Sequence, residues 1–359
     1  MGDVLKTDGH GTSTDLWLKR AHTGSPLREL RIHRGSHRQS AWLKLEMVNP
    51  TGSVKYRTAL SLLRKLDEDR PLTTGTTIVE STSGNLGLAL AQLSAEIGCR
   101  YVAVVDPKVP LLTREAIVAT GAEIVTVDER DEHGGFLLAR LRKVRELCET
   151  SSSARWVNQY ESAANPAVHR DVTGPELARQ TYEHLDMVVV AVSTGGTLAG
   201  ISEHLRGTGR PLRVLAVDVA GSLALDTTGT GRPHLLNGIG AGRRSSFLRP
   251  HHYDQVVRVR DKEAIAFCLL LEQDTGLALG GSSGAVLAAF VADLQHHPAP
   301  PRLPVLFCPD GGRAYSNTLY TNSWLVEQDA FGAILAVMGE ARRRGLRFEL
   351  GEETNDVRI

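Results

Sequence analysis

Lys55 sits in the stretch Asn49-Pro-Thr-Gly-Ser-Val-Lys55-Tyr56-Arg57, at the mouth of an expected helix over residues 56–66 with Leu60, Leu63 and Leu66 on one face. Asn, Pro, Gly and Ser stop the preceding strand and supply a turn. The positive end of a helix dipole disfavours a cation. That field, with partial desolvation, lowers the pKa of an amine and makes it a better Schiff-base nucleophile. A lysine taken alone is ordinarily a solvated one, so the case for chemistry depends on what the rest of the chain brings.

Four loops bring glycine together with hydroxyl or amide side chains. In the first, Thr82, Ser83, Gly84 and Asn85 stand at a helix start, where backbone N–H groups bind carboxylates; the same residues also suit an N-cap and turn. In the second, Ser193-Thr194-Gly195-Gly196-Thr197 follows the apolar run 187–192. A glycine pair between hydroxyl residues at a helix start makes a nest of N–H donors for a phosphate dianion, or a bare tight turn. It is neither the GxxxxGK[ST] nucleotide loop nor the GxGxxG dinucleotide pattern. The third loop, 237–242, contains Gly238 and runs into Arg243 and Arg244; the fourth, 280–285, contains Ser282 and leads into an apolar helix. Singly each says little, but their order together with the lysine points to a ligand site.

Such loops need strands to end on and helices to open. Strands are expected at 41–46, 76–80, 101–105, 123–127, 187–192, 214–219, 256–259 and 305–308, with a turn and short strand in 23–32. Helices are expected at 56–66, 86–97, 111–119, 136–148, 198–205, 262–273 and 285–294. Residues 1–22 read as a loose arm, 151–153 as a break and 296–304 as a loop. Short β-branched runs alternating with helices imply parallel sheets covered on both faces. The loops then fall on the carboxyl edge, where open α/β sheets bind ligands. A chain of 359 residues has room for about two domains. Lys plus Arg equals Asp plus Glu at 41 each, so no basic field draws nucleic acid. No apolar run reaches the roughly 18 residues of a membrane span, and no apolar leader follows Met1. The four cysteines are far apart, lack zinc-ligand spacing and read as reduced core residues; the expected compartment is the cytoplasm.

Taken together, these loops, Asn158-Gln159-Tyr160-Glu161 and Cys308-Pro-Asp310-Gly-Gly-Arg-Ala-Tyr315 resemble the cysteine synthase and cystathionine β-synthase family of pyridoxal-phosphate enzymes, from about residue 24 to 324. The resemblance implies an α/β protein of fold type II, the tryptophan synthase β-like fold. Its two doubly wound three-layer α/β/α domains hold pyridoxal 5′-phosphate in the cleft between them. The smaller, mobile domain would span 48–160, and the larger, cofactor-anchoring domain 1–47 plus 161–359. Lys55 would carry the cofactor and act as base at Cα. Asn85 would bond the cofactor's 3′-oxygen, Ser193, Thr194, Gly195, Gly196 and Thr197 would cradle its phosphate, and Ser282 would face its pyridine nitrogen. Thr82, Ser83, Gly84 and Gln159 would bind the substrate carboxylate, with Gly238 on the substrate side. Arg243 and Arg244 would be solvated or would grip an anionic leaving group or acceptor. The resemblance also implies small amino-acid substrates, a homodimer, and no metal, nucleic acid or membrane. The sequence departs from the family at Tyr56, where an acidic residue is usual, at Gly311 and Ala314, and at the Arg243-Arg244 pair.

Related dehydratases of this fold class typically carry a longer glycine run in the phosphate loop, so with TGGT the resemblance implies β-replacement rather than dehydration. A neutral Ser282 gives little stabilisation to a protonated pyridine nitrogen, which favours prompt loss of a β-leaving group and an aminoacrylate intermediate. The expected donor is O-acetyl- or O-phospho-L-serine. Sulfide as nucleophile would make a cysteine synthase. An amine would make a synthase of 2,3-diaminopropionate-type precursors for siderophores or antibiotics, toward which Arg243-Arg244 and the segment 317–325 lean. A non-catalytic cofactor-binding sensor or scaffold is the reading of another class, opposed by intact Lys55, Asn85, Gln159, Thr197 and Ser282. The end of the chain, 355–359, would be a free terminus or dock into a neighbouring subunit.

Overall fold

The computed structural model describes residues 17, 20–22, 24–132, 134–182, 184–225, 234–297 and 299–357. Most of the N-terminal arm and the last two residues of the tail lie outside them. Val357 is buried and donates its N–H to Gln180 O at 2.7 Å.

The chain begins as an antiparallel hairpin, β1 (Leu27–Arg34) and β2 (His37–Leu45), before helix α1 (Lys55–Asp69). Strands β3 (Thr77–Ser81), β4 (Arg100–Val105), β5 (Glu123–Thr126) and β6 (Ala154–Trp156) form a parallel sheet in the order β5-β4-β3-β6. Between them run α2 (Asn85–Ile97), α3 (Leu111–Ala119) and α4 (Leu137–Thr150). The strand period of two divides their side chains between faces. Ile78, Tyr101, Ala103 and Val105 pack against α1 and α2, while Val79, Val102 and Val104 pack against Val144 of α4.

After β6 come α5 (Ala164–Val168), a π-helical turn His169–Thr173 and α6 (Gly174–Gln180). Then follow β7 (Met187–Ala191), α7 (Gly196–Gly207), β8 (Arg213–Val219), β9 (Gln255–Val259), α8 (Asp261–Thr275), α9 (Gly281–His296) and β10 (Pro304–Cys308). The chain closes with α10 (Asn322–Glu327), α11 (Phe331–Arg343) and β11 (Leu346–Thr354). The larger sheet has the order β11-β1-β2-β10-β7-β8-β9. Met187, Val189, Leu215 and Val217 face α8, α9 and α11; Val188, Val190, Val214 and Ala216 face α6 and α7. Both sheets are therefore the middle layer of an α/β/α sandwich, as fold type II requires.

One expectation changes. The larger sheet is not wholly parallel, because β1 pairs antiparallel with both β2 and β11. The strand β6, the segment α5–α6 and everything after β10 were not anticipated. β6 is only three half-buried residues, Pro166 and Gly174-Pro175 interrupt the helical run, and β11 buries Leu346 and Phe348 but exposes or half-exposes the rest.

A buried ionic cluster ties α1 to the larger sheet. The fully buried Arg57 guanidinium donates to Glu46 at 2.9 Å and to Glu176 of α6 at 2.8 Å. Lys44 of β2 donates to Glu176, to Gln180 at 2.7 Å and to Ser25 O at 2.6 Å. Burial alone would raise the Glu176 pKa, but Arg57 and Lys44 overcome it and hold the carboxyl at about 2. Among the described residues, no helix is long and apolar enough to cross a membrane and no cluster of side chains suits a metal ion. The four cysteines are free thiols.

Candidate active site

Lys55 is the first residue of α1, on a turn that Gly52 closes with a positive φ of 74° and a 2.7 Å bond from its N–H to Asn49 O. The turn is pinned to the end of β10, where Val54 N–H donates to Pro309 O at 2.8 Å and Ser53 bridges Asp310. The side chain faces a cleft shared with Thr82, Asn85, Gln159, Ser193 and Ser282. Burial pushes the amine down to about 8, against the opposing charge of Asp310. Adjacent Tyr56 leaves the cleft altogether: it is buried in the smaller core with Leu60 and Leu63.

The first loop folds around Thr82, whose hydroxyl oxygen accepts the N–H groups of Gly84 at 3.1 Å and Gly87 at 2.9 Å. Thr82 thus shapes the loop, and its own O–H is the group left to donate. Ser83 is exposed, and Ser83, Gly84 and Asn85 all line the cleft. Gln159 lies against the same loop. Its amide donates to Ser81 O at 2.7 Å, and its backbone N–H to Glu80 at 3.0 Å. Burial raises the Glu80 pKa to about 7 despite those donors.

Of residues 193–197, Ser193 lines the cleft, and the rest lead into α7, whose N-terminus has no side-chain cap. Gly195 holds a φ of 89°, and a Cβ there would stand 2.3 Å from Ser245 Oγ. At Gly196 a Cβ would fall 2.1 Å from Asn165 Oδ1. The loop is therefore a tight, bare cradle of backbone N–H groups, suited to an anion. His169 joins it to the Lys55 helix, with Nε2 3.2 Å from Thr197 Oγ1 and 3.3 Å from Thr58 Oγ1. Ser282, in the first turn of α9, is buried and brings a neutral hydroxyl to the cleft. A buried amine of lowered basicity, a bare phosphate cradle and a neutral hydroxyl fit pyridoxal phosphate.

Gly238 lines the cleft as expected, but neither Arg243 nor Arg244 does. Arg243 pairs with Glu161 at 3.1 Å on a partly exposed surface, and Arg244 is exposed. The cation the structure does bring is Arg140 of α4, unforeseen in the sequence. It is 5% exposed and lines a recess that shares Ser83, Tyr160, Ser193 and Gly238 with the Lys55 cleft. Its Nε lies 3.3 Å from Asp106 without hydrogen-bond geometry, and Nη1 has no partner. Lys108 lines the same recess. The signal was present in the helix periodicity: position 140 shares the buried stripe of Leu137, Leu141 and Val144. A cation on an apolar stripe asks for an anion.

Residues 18–308 match the family described as pyridoxal-phosphate dependent enzyme. Over 302 residues the chain is 37% identical to an N-(2-amino-2-carboxyethyl)-L-glutamate synthase of Ralstonia nicotianae, covering 84% of this chain and 88% of that protein. A protein of the same name from Cupriavidus metallidurans is 36% identical over 313 residues, covering 86% and 91%. Among solved structures, O-ureido-L-serine synthase superposes with a TM-score of 0.75 at 29% identity, covering 86% of this chain and 98% of that one. The O-acetylserine dependent cystathionine beta-synthase of Helicobacter pylori gives 0.73 at 25%, covering 85% and 98%. The chain belongs to the pyridoxal-phosphate dependent enzymes, and its cofactor is pyridoxal phosphate.

Proposed function

We propose that this enzyme joins Cβ of an O-activated L-serine to the amino group of an anionic amino-acid acceptor, giving an N-(2-amino-2-carboxyethyl) amino acid. The observation that carries this is Arg140, a buried guanidinium that lines a recess beside the Lys55 cleft and whose Nη1 has no hydrogen-bond partner. Asp106 balances its charge at 3.3 Å without hydrogen-bond geometry, so an acceptor carboxylate or a phosphate leaving group would supply the bond the guanidinium lacks. Attack by sulfide on an acetylated donor would leave it unused. The two relatives named for a synthase of this product class support the reading. The second reading, O-acetylserine with a sulfur nucleophile, is favoured by the likeness to the Helicobacter pylori enzyme.

Lys55 would hold the cofactor, residues 193–197 its phosphate, Ser282 its ring nitrogen and Asn85 its ring oxygen. When bound, pyridoxal phosphate supplies an electron sink that draws density from Cα. Thr82, Ser83, Gly84 and Gln159 bind the donor carboxylate. The Lys55 amine removes the Cα proton and later returns it. The Cβ–O bond breaks with its electron pair on the leaving oxygen, the acceptor nitrogen bonds Cβ, and the proton it loses leaves with that oxygen. Closure of the smaller body, 48–160, over 1–47 plus 161–359 would exclude water from this sequence. The same reading takes the enzyme as a cytoplasmic homodimer, which light scattering of the purified protein addresses.

The test is a matrix of O-acetyl- and O-phospho-L-serine against sulfide, L-glutamate and neutral amines, with products read by mass spectrometry. The proposal expects the N-(2-amino-2-carboxyethyl) product with a dicarboxylic amine. Turnover with sulfide alone overturns it in favour of a cysteine synthase.

A further inference from the structure

The cleft holds one carboxylate that the chemistry above does not use. Asp310, in the loop after β10, is 3% exposed and faces the cleft with Lys55 and Asn85. Its Oδ2 accepts Asn85 Nδ2 at 2.6 Å and the Tyr315 hydroxyl at 2.6 Å. Its Oδ1 is buried and has no partner. The surroundings are cut to fit this carboxylate: a Cβ on Gly280 would stand 2.0 Å from Oδ1, and Gly280 N–H donates to Asp310 O at 3.1 Å. The bridge to Ser53 sets the same residue two positions from Lys55, and Asp310 is the charge that opposes burial of the Lys55 amine.

We propose that Asp310 is a positioning residue for the reaction, which spends Oδ2 on orienting the Asn85 amide across the cleft and keeps Oδ1 for the Lys55 ammonium. An asparagine amide has two N–H donors. With one held by Asp310, the other is directed into the cleft, and the amide cannot flip without turning its oxygen onto a carboxylate. The second task follows from burial. When the Cα–H bond breaks and its proton bonds Lys55 Nζ, a cation appears in a site that disfavours cations, and an isolated buried charge is costly. Oδ1 then gains the donor it lacks. Asp310 stays ionised throughout, takes no proton, and loses that donor when Lys55 passes the proton back.

The other titratable groups nearby do not supply that charge. Burial, with Lys55 and Arg57 adding to it, keeps the His169 imidazole neutral, its pKa well below the usual range. Burial pushes the Cys268 and Cys308 thiols up to about 12 each, and raises the Tyr315 hydroxyl well above its ordinary range. On Asp310 itself burial raises the pKa, while Tyr315, Asn85 and Lys55 oppose the rise.

The inference rests on the reading of Lys55 as the proton carrier, so its main test avoids turnover. In the full chain stripped of cofactor, the rate of acetic anhydride labelling at Lys55 is followed against pH by peptide mass spectrometry, which gives the amine's pKa. Asp310→Asn is expected to lower that midpoint by about one pH unit or more, since losing a nearby opposite charge disfavours the ammonium. Asp310→Glu is expected to restore it, and Tyr315→Phe, which leaves the charge, to keep it. In holoenzyme, where the Lys55 amine is free only once substrate is bound, Asp310→Asn should also move the acid limb of kcat to lower pH and lower the plateau, while Asn85→Ala leaves the labelling midpoint unchanged. Asp310→Ser serves where the asparagine variant does not fold. A folded Asp310→Asn or Asp310→Ser protein with the wild-type midpoint overturns the inference. A shifted midpoint in an enzyme that joins no amine to any donor supports Asp310 and defeats the functional reading instead.

Discussion

Replacing Arg140 by methionine keeps the apolar stem of the side chain and removes the guanidinium with its charge. Its Nη1 makes no hydrogen bond in the structure, while Nε lies against Asp106. A charge-assisted bond from Nη1 to an anionic substrate is worth roughly 1.5–3 kcal/mol, a factor of about ten to a hundred and fifty in kcat/KM. Part of any loss will be structural, because Asp106 is buried 3.3 Å away and keeps its charge. Arg140→Lys separates the two effects: it retains the countercharge to Asp106 but not the second, planar N–H of the guanidinium. The assay measures donor consumption and acceptor addition separately for O-phospho- and O-acetyl-L-serine, with urea unfolding of each variant alongside. Loss confined to the phosphorylated donor assigns Arg140 to the leaving group. Loss of acceptor addition with both donors assigns it to the acceptor carboxylate. Arg140→Met acting within threefold of wild type on every anionic substrate refutes the argument.

Lys55→Ala should bind pyridoxal phosphate without forming a borohydride-reducible adduct; a stable adduct at another lysine would remove Lys55 from its place. Gly195→Ala should raise the dissociation constant for pyridoxal phosphate at least about tenfold, because φ 89° and the 2.3 Å approach to Ser245 both exclude a Cβ; binding of dephosphorylated pyridoxal should change less. Glu176→Gln should cost about 3–5 kcal/mol in urea unfolding, since it leaves Arg57 and Lys44 buried with too little negative charge. A carboxyl held at about 2 in the fold against an ordinary 4.5 binds its proton less readily when folded. Its contribution, about 3 kcal/mol, is therefore complete above pH 4.5 and lost as pH falls toward 2, and the variant's stability should lack that acid limb. Arg243→Ala removes a partly exposed pair with Glu161, and such pairs are worth about 0–1 kcal/mol. Its kcat/KM should stay within threefold, and a hundredfold loss with an anionic substrate would mean that this arginine swings into the cleft.

Much of the site was legible because backbone demands leave marks in sequence. A glycine pair between hydroxyls at positions 193–197 and glycine beside Ser282 are required by close approach whatever the tertiary context. The alternation of strands with helices was readable for the same reason, since Val188 and Val189 already declare a strand buried on both faces. What failed depends on long-range partners. Arg140 is separated from Ser193 by 53 positions in sequence, and no local rule says that its helix stripe faces a recess rather than solvent. Arg243 looked promising beside a glycine loop, but Glu161 satisfies it, and that pairing spans 82 residues. β11 was invisible because it needs β1 to exist, and an edge strand with one polar face resembles a charged loop.

The buried cluster around Arg57 constrains how the smaller body can move. By its packing α1 belongs to that body: Ala59, Leu60 and Leu63 share one core with α2 and β4. By its charges it belongs to the other, since Arg57, one turn into the helix, is held by Glu46 and Glu176 with no exposure on the guanidinium. Cutting those bonds would strand Arg57 and Glu46 as buried charges and leave Glu176 to Lys44 alone, at a cost beyond the few kcal/mol that binding one small carboxylate supplies. The closing motion proposed above would therefore turn about Arg57 and leave the cluster whole. Lys55, two residues before that pivot, would then lie close to the axis, where its amine would move little. The 2.6 Å bond from Asn85 to Asp310 is a second tie across the cleft, and the proposed closure would keep it as well. On the functional reading proposed above, Lys55 and Asn85 would then stay in register with residues 193–197 and Ser282 as the cleft narrows.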